Sequence, residues 1–436
     1  MALPQPTRAP WQATHAHVRA SLAGSGLALA AVLMRRADLL VLAAPLVIVA
    51  LWSVLTRPRE EPLSTVSVSP AAIREGETAS WRVGLEAVSG MEDAVARLSS
   101  RPWLDPTPRS GVRAASLDAQ PASLTIGVRS MRWGHRGVGP GVVAATSAWG
   151  AFRWGPHEIE ARALTTLPLP STFDATAPVP HPSGLVGLNR GGRPGDGSEF
   201  ASIRPFQQGD RLRRIHWPVS MRTGSLHVTS TWADQDSHVV LVVDALNDLG
   251  PSEGLDGAAS SLDVTVRAAG AMAEHYLHRG DRVGLRVLGS ESATRLPAAA
   301  GRNHLLRVLD TLAAIDVATD VRDDPHQVLL GLSAGTLVIV LSPLVSPVAL
   351  QHAVTLARRR LTVIVVDTLP AGLTDTNDED PFAALAWRVR LLERRREMHR
   401  VQEVGVPVVT WRGPGSLDQV LRDVSRRSAA PRMARR

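Results

Sequence analysis

The stretch Leu39–Thr56, LLVLAAPLVIVALWSVLT, runs for 18 residues without a charged side chain. As a helix it rises about 27 Å at ~1.5 Å per residue, close to the ~30 Å hydrocarbon core of a bilayer. A helix satisfies its backbone groups within the segment, which is what a lipid environment demands. Pro45 is tolerated in such a helix, and Trp52 falls near its end, where indole rings favour the membrane interface. A shorter apolar run, Ala20–Met34, precedes it and contains Gly24 and Gly26. Only Arg35, Arg36, Ala37 and Asp38 separate the two runs, so residues 1–62 read as a tail and a two-helix transmembrane hairpin. Arg8, Arg19, Arg57 and Arg59 flank the outer ends, whereas Arg35 and Arg36 occupy the turn. The positive-inside rule then puts both termini in the cytoplasm. The expectation is a two-pass protein of the cell membrane, most of its chain cytoplasmic, with membrane lipid as a partner. Two other readings compete. A secretory signal peptide would need a small-residue cleavage site where Arg-Arg and a second apolar run follow. A buried soluble helical hairpin is suggested by the shortness of the first run.

From 63 to 170 the periodicity changes. Leu63–Ser69 and Ala79–Leu85 alternate, Arg74-Glu75-Gly76-Glu77 supplies turn residues between them, and Leu124–Val128 is a further short strand. Period-2 alternation broken by Gly, Pro and Asp predicts a small β-sandwich-like domain. The segment Trp133–Trp154, dense in Gly and Trp, reads as turns between strands. Its Gly137-Val138-Gly139-Pro140-Gly141 is no dinucleotide fingerprint, because it opens no helix whose N-terminus could receive a phosphate.

Residues 171–236 begin with a linker, Ser171–Gly197, rich in Pro, Gly and Ser. A dense polar motif follows, with Glu199, Phe200, Arg204, Gly209, Asp210, Arg213, Arg214, His216, Trp217 and Arg222. Arg forks pair bidentately with carboxylates, so a buried Arg–carboxylate network fixing the linker to the next domain is one reading. The other is a partner-docking surface anchored by Trp217 and Arg.

Residues 237–428 alternate strand and helix. The apolar runs His238–Val243, Arg282–Leu288, Thr336–Leu341, Leu361–Val366 and Pro407–Trp411 are the strands. Helical spacing covers Leu262–Leu277, with Gly280 as the residue past the helix end, then Asn303–Ala314, Pro347–Arg360, Pro381–Glu403 and a last helix from Ser416. This pattern predicts a doubly wound α/β domain with a mainly parallel sheet, ligands in such sheets binding at the carboxyl ends of the strands. Residues 429–436 form a basic tail.

Composition removes several chemistries. The chain has no lysine, so all 48 basic residues are Arg, and it has no cysteine. A Walker A loop, a kinase strand Lys, Schiff-base chemistry, thiol catalysis, Cys-ligated zinc and iron–sulfur clusters are therefore absent. The net charge of +7 is spread among interspersed acids, without a basic stripe interleaved with aromatics, so nucleic acid is not expected as a partner. Gly331-Leu332-Ser333-Ala334-Gly335 has the letters of a nucleophile elbow, but a helical segment precedes it and a strand follows, the reverse of what that motif needs. His157-Glu158-Ile159-Glu160-Ala161 lacks the second His of a zinc-binding helix and lies in the β segment. No catalytic residue, cofactor or small-molecule substrate is expected, so the chain reads as a non-enzymatic interaction or assembly protein. A hydrolase using Ser333 or the His216 region, and a metal-dependent adhesion module facing outward, are the alternatives.

The stretch from Gly197 to Asp244 resembles the domain-of-unknown-function 58 family. The resemblance is carried by Glu199, Phe200, Arg204, Phe206, Gly209, Asp210, Arg213, Ile215, Trp217, Arg222, Gly224 and Leu226, leading into a strand that ends in Asp244. Arg136–Gly137 and Trp149–Gly150–Ala151–Phe152 look like upstream family elements, the second degraded. The resemblance implies a membrane protein with a von Willebrand factor A-like domain, and a partner among MoxR-type AAA+ ATPases. The metal motif of an A domain, D-x-S-x-S, is here Asp244-Ala245-Leu246-Asn247-Asp248, and Ser342-Pro343 stands where a second Asp often follows. Only Asp244 and Asp248 of that set remain, which implies no metal site, since Mg²⁺ needs a near-octahedral array of oxygen ligands.

Overall fold

The computed structural model describes residues 10–116, 121–169, 190–207, 212–234, 238–289, 294–317, 336–359, 361–371 and 381–413, together with residues 210, 332, 373, 415, 418 and 422. Residues 1–167 and 168–436 form two compact units.

In the first unit a short strand, β1 (Gln12–Ala13), leads into α1 (His15–Met34), which Thr14 caps by accepting the His17 amide at 3.3 Å. Arg35 adopts the left-handed conformation, φ 52°, and turns the chain into α2 (Asp38–Leu55), with Pro45 inside it. Gly24 lets the two helices close, since a Cβ there would lie 3.0 Å from Leu46 Cβ. Ser53 returns its hydroxyl to the Val49 carbonyl at 2.7 Å, removing a polar group from an apolar surface. Both helices are long and apolar enough to cross a membrane, and only 11% of either apolar window is buried, so the protein does not enclose them as core helices.

Eleven further strands complete this unit: β2 (Ser64–Ser69), β3 (Ala72–Arg74), β4 (Thr78–Leu85), β5 (Met91–Leu98), β6 (Leu104–Thr107), β7 (Val112–Ser116), β8 (Ala122–Ser130), β9 (Gly134–Val138), β10 (Gly141–Ser147), β11 (Phe152–Ile159) and β12 (Arg162–Leu167). They form sheets of order β1-β11-β10-β5-β7, β2-β4-β8-β6 and β3-β12-β9. One core joins them, with Trp81, Val83 and Leu85 of β4 meeting Ala94 and Ala96 of β5, Ile126 of β8 and Val143 of β10. The segment Trp133–Trp154, expected to be turns, contains β9, β10 and the start of β11. Its inward residues are small: along β10 they are Gly141, Val143, Ala145 and Ser147. At Gly141 nothing larger fits, because the fully buried Trp81 ring fills the space a Cβ would occupy.

The second unit opens with an antiparallel pair, β13 (Arg190–Pro205) and β14 (His227–Asp234), enclosing α3 (Trp217–Thr223). Residues 190–197, expected to be linker, are extended and paired here, with Pro194 opposite Trp232. The main sheet follows from β15 (His238–Asp244), α4 (Ser261–His278), β16 (Arg282–Leu288), β17 (Arg295–Ala299), α5 (Arg302–Ala313), β18 (Leu337–Ser342), α6 (Pro347–Arg358), β19 (Thr362–Asp367), α7 (Pro381–Glu403) and β20 (Val408–Thr410). Its order is β17-β16-β15-β18-β19-β20, parallel except for β17. The antiparallel edge strand β17 is not anticipated by the sequence pattern, and it holds Pro297, a residue sheets accept at an edge. Val240, Val242, Val338 and Val340 pack with Leu350 and Leu356 of α6 and Val401 of α7. Val239, Leu241 and Val243 are equally buried on the opposite face. Burial on both faces explains why these strands read as unbroken apolar runs. Helix α4 ends as its sequence predicts: Gly280, φ 85°, donates to Leu277 O and Asp281 to Tyr276 O, the paired bonds of a Schellman end. The helix expected from Ser416 falls outside the described residues except at Asp418 and Arg422.

Gly141 tests the β core. A Cβ there would sit 2.4 Å from Trp81 Cζ2 and 3.3 Å from the Arg97 carbonyl. Gly141→Ala is expected to destabilise the β unit by about 1–3 kcal/mol, the usual cost of overpacking. Denaturant unfolding of the detergent-solubilised protein, followed by Trp fluorescence, measures it.

Candidate functional site

Three neighbouring parallel strands, β15, β18 and β19, end in Asp244, Ser342 and Asp367. The chain leaves β15 toward β16 on one side and β18 toward β19 on the other, so the strand order reverses between β15 and β18, where α/β sheets place their ligand crevice. Asp244, Ser342, Asp367, Thr368, Thr265, Ser260, Ser261 and Asp263 are all buried, so each needs a partner. Ser342 Oγ donates to Asp244 Oδ2 at 2.5 Å, and the Leu246 amide donates to Oδ1 at 3.0 Å. Ser342 Oγ in turn accepts from the Leu344 amide at 2.9 Å. Thr265 and Thr368 hydroxyls meet at 2.6 Å.

Asp367 Oδ1 accepts from the Leu369 amide at 3.0 Å and from the guanidinium of Arg394 on α7. Arg394 also donates through Nε to Pro343 O at 2.9 Å. One turn earlier Arg390 donates through Nε to Val345 O at 2.7 Å, and its guanidinium is pushed up in pKa mainly by the hydrogen bond to Glu397. Helix α7 thereby fastens the connection that follows β18. Asp248 caps α4, its Oδ1 accepting the Leu262 amide at 3.1 Å. Beside it Ser260 and Asp263 form a capping box. Among the described residues no group of three or more His, Cys, Asp or Glu side chains is placed to hold a metal ion. Asp367 and Arg394 were missed in the sequence. Asp367 carries the signal that picked out Asp244, an acid ending a buried strand, whereas nothing distinguishes Arg394 within its charged helix.

The Arg/Trp motif occupies the β13–α3–β14 hairpin. Arg204 grips Asp210 with both guanidinium nitrogens, at 2.8 and 2.6 Å, and Asp210 also accepts the Gln207 amide at 2.8 Å. The Arg204 hydrogen bond, then the Gln207 amide, holds the Asp210 carboxyl below its usual range. His216 caps α3, its Nδ1 accepting the Val219 amide at 3.3 Å. Gly224, φ 70°, ends the helix. Ser220, the buried residue of α3, donates to His216 O at 3.0 Å and accepts from the His227 amide at 2.9 Å, pinning the helix to β14. The remaining motif residues diverge. Trp217 is 58% and Met221 81% exposed, with Leu212, Phe200 and Leu226 also exposed. Arg213 and Arg222 are exposed and Arg214 is half-buried. Glu199 lies on the β13 backbone, and Gly209, like Ser333, lies outside the described residues. Among the described residues the motif holds the half-exposed ion pair Arg204–Asp210, while Arg213 and Arg222 are exposed.

Two tests follow. Arg394→Leu leaves the Asp367 carboxylate buried without its counter-charge and is expected to cost about 3–5 kcal/mol, while Asp367→Leu/Arg394→Leu recovers much of the loss; a double-mutant unfolding cycle reads both. The Asp210 pair stabilises its turn above the unfolded carboxylate pKa of about 3.9 and loses that contribution as pH falls through the lower folded value. Carboxyl NMR should therefore show Asp210 titrating below its ordinary range, and returning toward it in Arg204→Gln.

Comparison with known proteins places the hairpin and most of the main sheet in one family: residues 202–379 match the family described as "Protein of unknown function DUF58". Uncharacterized proteins of Mycobacterium tuberculosis (strain H37Rv) and Mycobacterium bovis are each 36% identical over 143 residues, covering 32% of this chain and 44% of the relative. The match thus spans less than half the length of these relatives. The matched span begins in β13 and ends just before α7, so it takes in the Arg204–Asp210 turn, Asp244, Ser342 and Asp367 but not Arg394. From Ser202 to Glu379, this chain carries a domain of the DUF58 family.

Proposed function

We propose that this chain is a membrane-tethered, non-enzymatic assembly protein whose α3 hairpin docks a partner, the AAA+ ATPase of the MoxR type that the family resemblance implies. The observation that carries this reading is the exposure of Trp217 and Met221 between Arg213 and Arg222 on a platform fixed by Ser220 and by Arg204–Asp210. From Leu212 to Ala233 the chain has three Arg and no Asp or Glu. Such a surface suits a partner offering an apolar pocket rimmed by carboxylates, with Trp and Arg as anchors. The family resemblance supplies the ATPase as the partner to test.

The α/β unit is read as von Willebrand factor A-like. Numbered within the unit, its strands run 3-2-1-4-5-6 with strand 3 antiparallel, and the first strand ends in Asp244. An adhesive metal site is disfavoured because Ser342 donates to Asp244 and Arg394 supplies the positive charge at Asp367. A hydrolase built on His216 is disfavoured because its Nδ1 is engaged as a helix cap. The hairpin is read as the anchor. A cleaved signal peptide fits poorly, because Trp11 and β1, which precede α1, belong to the β core and its sheet. The arginine distribution favours a cytoplasmic location for the chain that follows the hairpin.

Co-purification from membranes of the native host, with and without ATP and Mg²⁺, is the test. Recovery of an AAA+ ATPase is expected. Trp217→Ala should weaken the complex by about 2 kcal/mol, roughly thirty-fold, and Arg213→Ala/Arg222→Ala should weaken it further, with unchanged thermal unfolding because Trp217, Arg213 and Arg222 are exposed. Undiminished recovery with all three changed would remove the docking surface. Recovery of envelope proteins without an ATPase would remove the assembly reading.

A further inference from the structure

The β unit carries a tryptophan that its own core does not use. Trp149 is 69% exposed, at the tip of the turn between β10 and β11, with φ 60°. The turn is held firmly. The Trp149 amide donates to Glu92 Oε2 at 3.1 Å. Thr14, the residue that caps α1, donates its amide to Ala151 O at 2.9 Å and its hydroxyl to Gly150 O at 2.8 Å. The same turn packs on α2. Just past α2, Arg57 donates to Trp11 O at 3.0 Å and lies 5.0 Å over the ring of Phe152. The 148–152 turn is thus tied to the start of one apolar helix and the end of the other.

That placement fixes its depth. If the helices cross a bilayer, their apolar stretches end near Ala20 and Leu55, and His15, Arg19 and Arg57 lie at the headgroup level. The turn bonded to Thr14 lies at that same level, as does Trp52, exposed in the last turn of α2. Indole rings partition to this boundary, where the apolar ring meets acyl chains and the N–H meets water and headgroups. Backbone bonds to Glu92 and Thr14 leave the side chain free to enter it.

We propose that the 148–152 turn is a third membrane contact: Trp149 inserts at the headgroup–acyl boundary and, with the two helix roots, fixes the β unit against the bilayer surface. The inference rests on the membrane-crossing reading of the hairpin, and the experiment separates the two.

The chain has no cysteine, so a single introduced one is a unique labelling site. Trp149→Cys, and Ala148→Cys with Trp149 kept, are labelled with bimane and reconstituted in phosphatidylcholine vesicles containing a minority of phosphatidylglycerol. The vesicles carry nitroxide lipids labelled either at the headgroup or deep in the acyl chain. Ile48→Cys, on an exposed face in the middle of α2, reports on the hairpin. Ser110→Cys reports on the far end of the β unit, where Leu98 pairs with Gly141 and bonds to Gly111, the length of β10 away. The expected result is loss of most of the fluorescence at positions 148 and 149 with the headgroup nitroxide, at 48 with the deep one, and none at 110. Quenching at 48 with positions 148 and 149 as insensitive as 110 overturns the contact and leaves the hairpin reading standing. No deep quenching at 48 overturns both.

Discussion

A carboxylate at the end of a buried parallel strand has to be answered by a donor, and the α/β unit is organised around two such answers. Asp244 is met by the hydroxyl of Ser342 and by a backbone amide. Asp367 is met by Arg394, with side chains 8% and 10% exposed for the arginine and the acid. An arginine fork suits this place because it can bridge the acid and the Pro343 carbonyl at once. The second bond ties α7 to the connection after β18, so the ion pair determines how that connection runs as well as how Asp367 is neutralised. A cation bound from solution would have to displace a hydrogen bond at Asp244 or compete with a fixed guanidinium at Asp367. The hydrogen bonds at the carboxyl edge thus hold the strand ends together, and the docking surface proposed above lies on the β13–α3–β14 hairpin.

The division between the matched family span and the rest of the chain sharpens this point. Asp244, Ser342 and Asp367 lie within residues 202–379, and Arg394 lies beyond them. The family segment as matched therefore brings a buried acid whose counter-charge comes from a helix outside that span. The stability of the segment is thus coupled to α7, and a fragment ending at Glu379 would expose or strand Asp367.

The sequence was legible where one physical rule acts alone. Unbroken apolar runs gave β15, β18 and β19, because burial on both faces leaves no polar position to obscure them. The two apolar helices and the Gly280 helix end were legible for the same reason: hydrophobic length, and the conformational freedom of glycine. Legibility failed where two demands met in one residue. Strand β10 presents Gly141, Ala145 and Ser147 inward, Gly141 because the Trp81 ring fills the space beside it, and small residues read as turn formers. In β13 the Pro and Gly of residues 190–197 suggested linker, although pairing with β14 keeps the backbone extended. In the Arg/Trp motif the residue types allowed both a buried network and an open surface. Only the register of the hairpin separates Arg204, which meets Asp210, from Arg213 and Arg222, which face outward.

That separation bears on how such a surface could act. A seven-residue helix has little stability of its own, so α3 persists because its ends and its inner face are fixed by the hairpin. His216 caps it, Pro218 begins it, Gly224 ends it, and Ser220 bonds it to both His216 and His227. With the inner face committed, Trp217 and Met221 are presented at low conformational cost, and a partner that binds them need not order the helix first. The proposed tethering would act in the same direction: a hairpin in the bilayer confines a chain to the membrane plane and raises its effective concentration toward any partner held there. On that proposal, a preformed anchor surface needs only modest contact area, no more than one short helix and its flanking strands provide.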